Sequence, residues 1–438
     1  MNEQLTAAGV TYFNEQGKII QTHNLDVKTG KIWASEVRYD EFGRPAFSTL
    51  SAPIGNNYGY KTNFIKKSNG GLFSQSDLYG LTSSQSSVGI GGYTNTLGWY
   101  YSNNNTAEPY QDITAYPYNR IIYSTLNPGS ELRNLGGQKV RRTNSSPEEW
   151  VQSFSFTLPL AQELYYAFGT GYFTPRTAVN TNSGITVTPF YIMGTKQVVR
   201  DVHGVESVTF TDSDGRVLAT ARSGNEDNSN RKKYKVLSPI GEQGYVDIHI
   251  PVGCGGNVFF RGAPAARFKI YDLVADSPVS GKGNVSGSTY LSPGIYRIEE
   301  ITDDPFHFNK HPYATILGNN LQLLDNNYNV GVEYFVNYYD YSLNFYDKAG
   351  QLSKSIQPLG FDGRLDLSTS RTHTLATTFT YNSLGHLLQT SSPDEGQVTY
   401  QYRQDGQLRF SQSSKQMREN EYSYTNYDAL AQIGRAHV

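Results

Sequence analysis

The stretch SSPDEGQVTYQYRQDGQLRFSQ, residues 391–412, carries the pattern on which the fold turns. Polar and apolar side chains alternate up to Tyr402, the alternation breaks at Arg403-Gln404-Asp405-Gly406, and it resumes from Leu408. Alternation is the period of a half-buried strand, and a short polar break ending in Gly reads as a hairpin turn. The same figure recurs: an aromatic, three residues rich in Asp, Asn and Glu, then Gly, a polar residue and an apolar one. FNEQGKI runs from Phe13 to Gly17 and on, YDEFGRP from Tyr39 and Asp40 to Gly43, and YDKAGQL from Tyr346 and Asp347 to Gly350. YNSLGHL follows with Tyr381 and Gly385, then YRQDGQL with Tyr402 and Gly406. TDSDGRV puts Thr211 in the aromatic slot ahead of Gly215, and YDALAQI, opening on Tyr427 and Asp428, has Ala431 where Gly belongs.

One unit follows from elementary conformational physics. The aromatic ends a strand and packs on the sheet face, and Asp or Asn bonds its own backbone two residues on to begin a turn. Gly takes a positive φ that a β-branched residue resists, and the apolar residue starts the return strand. A single hairpin is marginal in water, so the repeat makes sense as part of a larger sheet.

Composition agrees. The chain has 438 residues, room for two to four domains or one large repetitive sheet. Charged residues are 17%, below the roughly 25% of an average chain, while aromatics reach 13% with 34 tyrosines. Net charge is -2 with no basic stripe, which points away from nucleic acid. The one cysteine, Cys254, excludes an internal disulfide and a multi-Cys metal site, and its setting in PVGCGGNVFF reads as a buried, inert thiol. MNEQLTAAGV lacks the charged and apolar regions of a secretory signal, and no apolar run nears the roughly 18 residues of a membrane span.

On these residues the chain resembles the YD-repeat, or RHS-repeat, family. Residues 391–412 look like a full unit, with Pro393, Asp394 and Gly396 in the preceding turn, Thr399, Tyr400 and Tyr402 on the strand, and Gly406 and Leu408 in the next turn. GKIWASEVRYDEFGRPAFSTLSAPI (30–54) is similar to the front of long RHS proteins of Bacteroidetes-like bacteria, and 97–124 and 201–226 share its character. The resemblance is densest over 341–431. It implies an all-β fold: an antiparallel hairpin sheet, part of a spiralling RHS shell, with an inserted β-sandwich module. The expected layout is 1–233, irregular β with YD-like units; 234–340, the sandwich; 341–431, the repeats; and 432–438, a tail. TYLSPGIYRI within the module resembles the hairpin of prealbumin-like, adhesin-type sandwiches, with Pro293-Gly294 as the turn and Tyr296 returning into the core.

What the resemblance implies for function is a segment of a large secreted or cell-surface protein of the polymorphic-toxin type. Its sheet would enclose a C-terminal toxin or effector, so the expected partners are the protein's own further repeats and that cargo. The chain is read as container, without catalysis, cofactor or metal, and its tyrosines, aspartates and glycines as structural turns. The family's self-cleavage motif does not occur in this sequence. The alternative is a surface adhesin or carbohydrate-binding β protein, its partner a cell-surface glycan. Gln432 with IGRAHV matches the translation of a short-read sequencing adapter, so the chain reads as cut in mid-repeat, and Met1 reads as internal.

Other candidate chemistry is outweighed by plainer readings. Asp303, Asp304, His307 and His311 have metal-ligand residue types, but Pro305 and Pro312 break the helix that would join the histidines. Glu299/Glu300 and Asp394/Glu395 suggest glycosidase carboxylates, though Asp394 is explained by its turn. Asp201, His203 and Ser207 have triad residue types without a G-x-S-x-G elbow. Trp99-Tyr100-Tyr101 suits sugar stacking, yet aromatics in β proteins are more often core. NSSPEEW (144–150) reads as a helix start, and AQELYYAFG (161–169) as a short helix or a strand.

Overall fold

The computed structural model describes residues 7–74, 77, 90–108, 110–135, 152–169, 172, 178–179, 186–187, 194–201, 203–223, 232–240, 243–261, 267–301, 314–317, 320–323, 330–364, 366–367, 370–427 and 433–437. The protein is all-β, with antiparallel pairing throughout and, among the described residues, only short helices at Leu97–Tyr100, Glu163–Phe168 and Ser414–Glu419 besides one 3-10 turn. AQELYYAFG is therefore helical at its centre; NSSPEEW lies outside the described residues, as do His307, His311, Asp303, Asp304 and Asp428.

The chain forms two compact units. The first comprises Met1–Phe156, Val199–Val205 and Leu273–Ser277. Its strands Gly9–Phe13, Ile19–Asp26, Lys31–Tyr39, Pro45–Thr49, Tyr118–Tyr123 and Glu131–Leu135 pair in that order as an antiparallel meander. The step from Pro45–Thr49 to Tyr118–Tyr123 spans residues 50–117, yet Phe47 still pairs with Arg120. That excursion folds back over the sheet and builds the core of the unit. Phe47, Phe64, Phe73, Leu97, Tyr100 and Tyr118 meet there, with the Phe47 ring 4.4 Å from Tyr118 and 4.8 Å from Phe73. Tyr100 and Tyr101 are core residues, as the plainer reading of Trp99-Tyr100-Tyr101 expects.

The second unit comprises Thr157–Val198, Glu206–Asp272 and Pro278–Val438. Glu206–Asp212 and Val217–Ser223 form a hairpin, and the next strand in its sheet is Tyr339–Tyr346, with Ala219 opposite Leu343. From there the meander runs without a gap through Leu352–Ile356, Ala376–Tyr381, Leu387–Ser392, Gly396–Tyr402, Leu408–Ser413, Ser423–Tyr427 and Ile433–His437.

Between Ser223 and Tyr339 lies a module of two sheets. One orders Tyr234–Pro239, Gly331–Val336, Gly256–Arg261 and Ser288–Leu291; the other contains Tyr245–Ile250, Gly294–Ile301 and Arg267–Asp272 in that order. Val236, Ile248, Ile270, Ile298 and Val332 are each 0% exposed, and Phe260 of one sheet stacks on Phe268 of the other at 4.2 Å. Tyr296 does return into the core at 5% exposure. Pro293-Gly294, however, joins strands of different sheets, so the expected hairpin is a corner that carries the chain across the module.

Candidate functional site: the hairpin tips and the cleft beside them

The repeat tips share one geometry. Gly43 N–H donates to the Asp40 carbonyl (2.9 Å) and Asp40 N–H to the Arg44 carbonyl (2.9 Å). Asp40 Oδ1 accepts from Phe42 N–H at 3.0 Å and Arg44 N–H at 2.8 Å. Asn14, Asp212, Asp347 and Asn382 accept the same pair of amide bonds at their own tips. Arg403 keeps the backbone turn but supplies no side-chain acceptor; Asp405 takes over the Gln407 N–H at 3.3 Å. Gly17, Gly43, Gly215, Gly350, Gly385 and Gly406 all have φ between 73° and 84°, where an L side chain is strained. The strand pairing slips by one residue just beyond, as between Phe345 and Tyr346, the signature of a bulge with Gly at its first position.

Sequence reading missed one tip. Asp201 accepts from His203 N–H (2.8 Å) and Val205 N–H (2.9 Å), and Gly204 sits at φ 81°. Arg200 stands in the aromatic slot, so only the Asp-x-x-Gly spacing could have found it. The carboxylate of Asp201 is thus committed to a turn, which removes the triad reading.

A second regularity was not legible at all. The repeat tyrosine of each unit donates its hydroxyl to the carbonyl two residues after the Gly of the unit before. Tyr39 bonds Ile19 O at 2.8 Å and Tyr123 bonds Pro45 O at 3.0 Å in the first unit of the chain. In the second, Tyr346 bonds Val217 O (3.0 Å), Tyr381 bonds Leu352 O (3.0 Å), Tyr402 bonds Leu387 O (2.9 Å) and Tyr427 bonds Leu408 O (3.0 Å). In four units the residue after the Gly covers the ring that follows. Lys18 lies over Tyr39 at 5.4 Å, Arg44 over Tyr123 at 4.1 Å, Arg216 over Tyr346 at 5.4 Å, and His386 stacks on Tyr402 at 4.8 Å. These side chains also crowd the next Gly: a Cβ on Gly385 would lie 2.9 Å from Gln351 Nε2, and one on Gly43 would collide with Lys18 Nζ. Gly is required here by backbone conformation and by its neighbour together.

Beside the first two tips opens a cleft of about 700 Å³, lined by Lys18, Glu36, Arg38, Asp40, Phe42 and Tyr60 among others. Its lining residues Glu36 and Arg38 are tied to the buried polar side chains Gln21 and His23. Arg38 Nε donates to Glu36 Oε1 at 2.7 Å, and Gln21 Nε2 to Glu36 Oε2 at 3.1 Å. Gln21 Oε1 accepts from Lys61 N–H at 2.9 Å and faces His23 Nε2 at 2.8 Å, so that nitrogen carries the proton. Burial raises the Glu36 carboxyl above its ordinary range, against the pull of Arg38, and lowers His23 below its own. Glu36 is held by Arg38 and Gln21, and Asp40 by its tip and by Arg44 at 2.7 Å.

The second unit has a buried polar cluster of its own. Lys196 Nζ donates to Glu163 Oε1 at 2.7 Å with both side chains 0% exposed, and it lies 3.4 Å from the Tyr334 hydroxyl, which meets Ser238 Oγ at 3.2 Å. Ser223 Oγ donates to Glu206 Oε2 at 2.6 Å, His249 Nε2 meets the same oxygen at 2.9 Å, and His249 Nδ1 faces the Tyr338 hydroxyl at 3.0 Å. The Tyr234 and Tyr341 hydroxyls bond each other at 2.6 Å.

The remaining candidates disperse. Cys254 is buried, and burial pushes its thiol up to about 12, so it is inert at neutral pH. Glu299 and Glu300 point to opposite faces of one strand. Asp394 and Glu395 are exposed in the turn before Gly396. Among the described residues no group of three or more His, Cys, Asp or Glu is gathered as a metal would require.

No family model and no curated protein matches the chain. Among solved structures it is similar to a chain of "TcdB2-TccC3 without hypervariable C-terminal region", at 11% identity and TM-score 0.17, covering 98% of this chain and 19% of that one. It is also similar to a chain of "TcdB2-TccC3", at 12% identity and TM-score 0.16, covering 99% and 21%. The chain therefore spans about a fifth of the length of these structures.

Proposed function

We propose that this chain is a wall segment of a large repeat-built protein of the RHS/YD type, a scaffold without catalysis, secreted or displayed at a cell surface, whose further repeats complete an enclosure for a C-terminal toxin or effector. The observation that carries this reading is the tyrosine ladder. Each unit presents a carbonyl that the tyrosine of the following unit uses, and four of them a side chain that covers its ring, so the design is one of side-by-side propagation. The commitment of Asp40, Asp201, Glu36 and their equivalents to turns and ion pairs supports a scaffold over an enzyme. The test is protease protection of the intact parent protein. Enclosure predicts a C-terminal segment that resists digestion until the repeats are denatured; cleavage of that segment at the rate of a free peptide would sink the reading.

The cleft beside Gly17 and Gly43 favours a second reading, a surface protein that binds a glycan. Binding of oligosaccharides by the isolated chain, lost on Tyr60→Ala, would move the assignment there.

A further inference from the structure

We propose that the module formed by residues 234–272 and 278–336 is docked on the hairpin array by a buried polar latch, and that it moves off the array with its own apolar packing intact when the latch opens. Three observations within the second unit lead there. First, the array is complete without the module. Val217–Ser223 and Tyr339–Tyr346 pair directly, with Thr220 opposite Ser342, and Tyr346 bonds the Val217 carbonyl just as the uninterrupted units do. Second, the module has apolar packing of its own: Phe260 of one sheet stacks on Phe268 of the other at 4.2 Å, and Ile248, Ile270 and Ile298 are fully buried in its second sheet.

Third, the side chains that join the two meet through polar groups, alongside the packing of the Tyr234 ring on Tyr166 at 4.4 Å. His249 meets Tyr338 and Glu206, which Ser223 also bonds; Tyr334 meets Ser238 and Lys196, the partner of Glu163; Tyr234 meets Tyr341. Tyr166 adds a hydroxyl bond to the Lys235 carbonyl at 2.8 Å. Alkyl packing has no substitute in water, but hydroxyls, a carboxylate and an ammonium do. Separation would solvate every one of these groups, so the undocked state lies closer in free energy than loss of either core. Burying ions in pairs fixes one docked arrangement while adding little net stability. Glu163 Oε2 and both polar side-chain atoms of Gln162 are buried without a hydrogen-bond partner from the protein, which further lowers the gain from closure.

Hydrogen exchange read by mass spectrometry on the whole chain tests this. Lys196→Met takes from the buried Glu163 its ion-pair partner, and His249→Leu removes one of the hydrogen-bond partners of the buried Glu206. The latch predicts at least a tenfold rise in exchange at Glu206–Asp212 and at Asn337–Tyr341, with Ile270 and Ile298 as protected as before. The double variant Glu206→Leu, His249→Leu, an apolar pair of similar volume, should close the interface again. Should either single variant fail to fold, the wild type in sub-denaturing urea supplies the same information. Its interface amides must then exchange through an opening of lower free energy and smaller urea dependence than the module interior. Equal exchange at interface and interior, in the variants or in urea, overturns the proposal, as does no change in either single variant.

Discussion

The inserted module and the C-terminal hairpins are both antiparallel β-structure, and they hold together by different means. In the module, five aliphatic side chains from both sheets are 0% exposed and Phe260 stacks on Phe268. Across 376–427 no side chain is fully buried; every strand there is half-exposed on both faces. Order in that array comes from the tips, from the ladder of strand pairs, and from a tyrosine hydroxyl per unit. The module is a closed object whose stability is set by its core. The array is open-ended, and each unit brings the contacts that seat the next, so it can be lengthened without a new core.

This contrast can be pressed hardest with alkali. Tyr234, Tyr334, Tyr338 and Tyr341 sit at the root of the module, and burial holds all four phenols above their ordinary value near 10. A group whose folded pKa is raised contributes stability that is intact below its unfolded pKa and lost as pH rises through the folded one. The root of the module should therefore open cooperatively above about pH 10, while Tyr381 and Tyr402, only partly buried at the array, lose less. Near-ultraviolet circular dichroism against pH, with phenolate absorbance, reads both; a sharp loss below pH 9 would contradict it. Next in size is Ile298→Ala, a cavity in a closed core. It should cost about 2–5 kcal/mol in urea denaturation, whereas Leu388→Ala, on the array, should cost well under half as much. Equal losses would erase the contrast.

At the tips, Gly385→Val should cost about 1–3 kcal/mol, because a β-branched residue resists φ 84° and meets Gln351. The loss should be local, read as faster hydrogen exchange at Leu387–Ser392 with the module unchanged. Tyr402→Phe removes one hydroxyl bond to Leu387 O and should cost about 0.5–1.5 kcal/mol. Tyr402→Ala should cost more, since the ring under His386 goes too.

How much of this was readable beforehand follows from range. Tips are local: Asp or Asn, then Gly three residues on, bonds within five residues, and the sequence displays it at Asp40, Asp347 and Asn382. The all-β fold follows from those tips and from alternation. The tyrosine ladder is non-local. Tyr346 finds Val217 across the whole module, and nothing near either residue announces the partner. The buried polar group beside the cleft escaped for a similar reason: Gln21, His23 and Glu36 look like ordinary polar alternation, and the backbone of Lys61, far along the chain, meets Gln21. Pro293-Gly294 marked a turn correctly but could not say which sheet each arm would join.

The smallest effect is also the most discriminating. Arg403 occupies the slot that Asp or Asn holds at the other repeat tips. Its guanidinium pairs with Asp405 at 3.1 Å, with both side chains about half exposed, and it lies 5.8 Å from the Tyr427 ring. An exposed ion pair of that kind contributes little. Arg403→Asp would offer an oxygen to the Asp405 and Gln407 amides, as Asp212 does for Asp214 and Arg216 at a tip that already carries two neighbouring aspartates. The expected change is a stabilisation of about 0.5–1 kcal/mol from those bonds, offset in part by repulsion between the new carboxylate and Asp405 and therefore larger in salt. If the array is held by its tips, slower exchange should appear at Gly396–Tyr402 and Leu408–Ser413. A neutral result with unchanged exchange would mean that strand pairing and the tyrosine ladder suffice, and that the aspartate of the repeat serves the formation of each hairpin rather than its stability once formed.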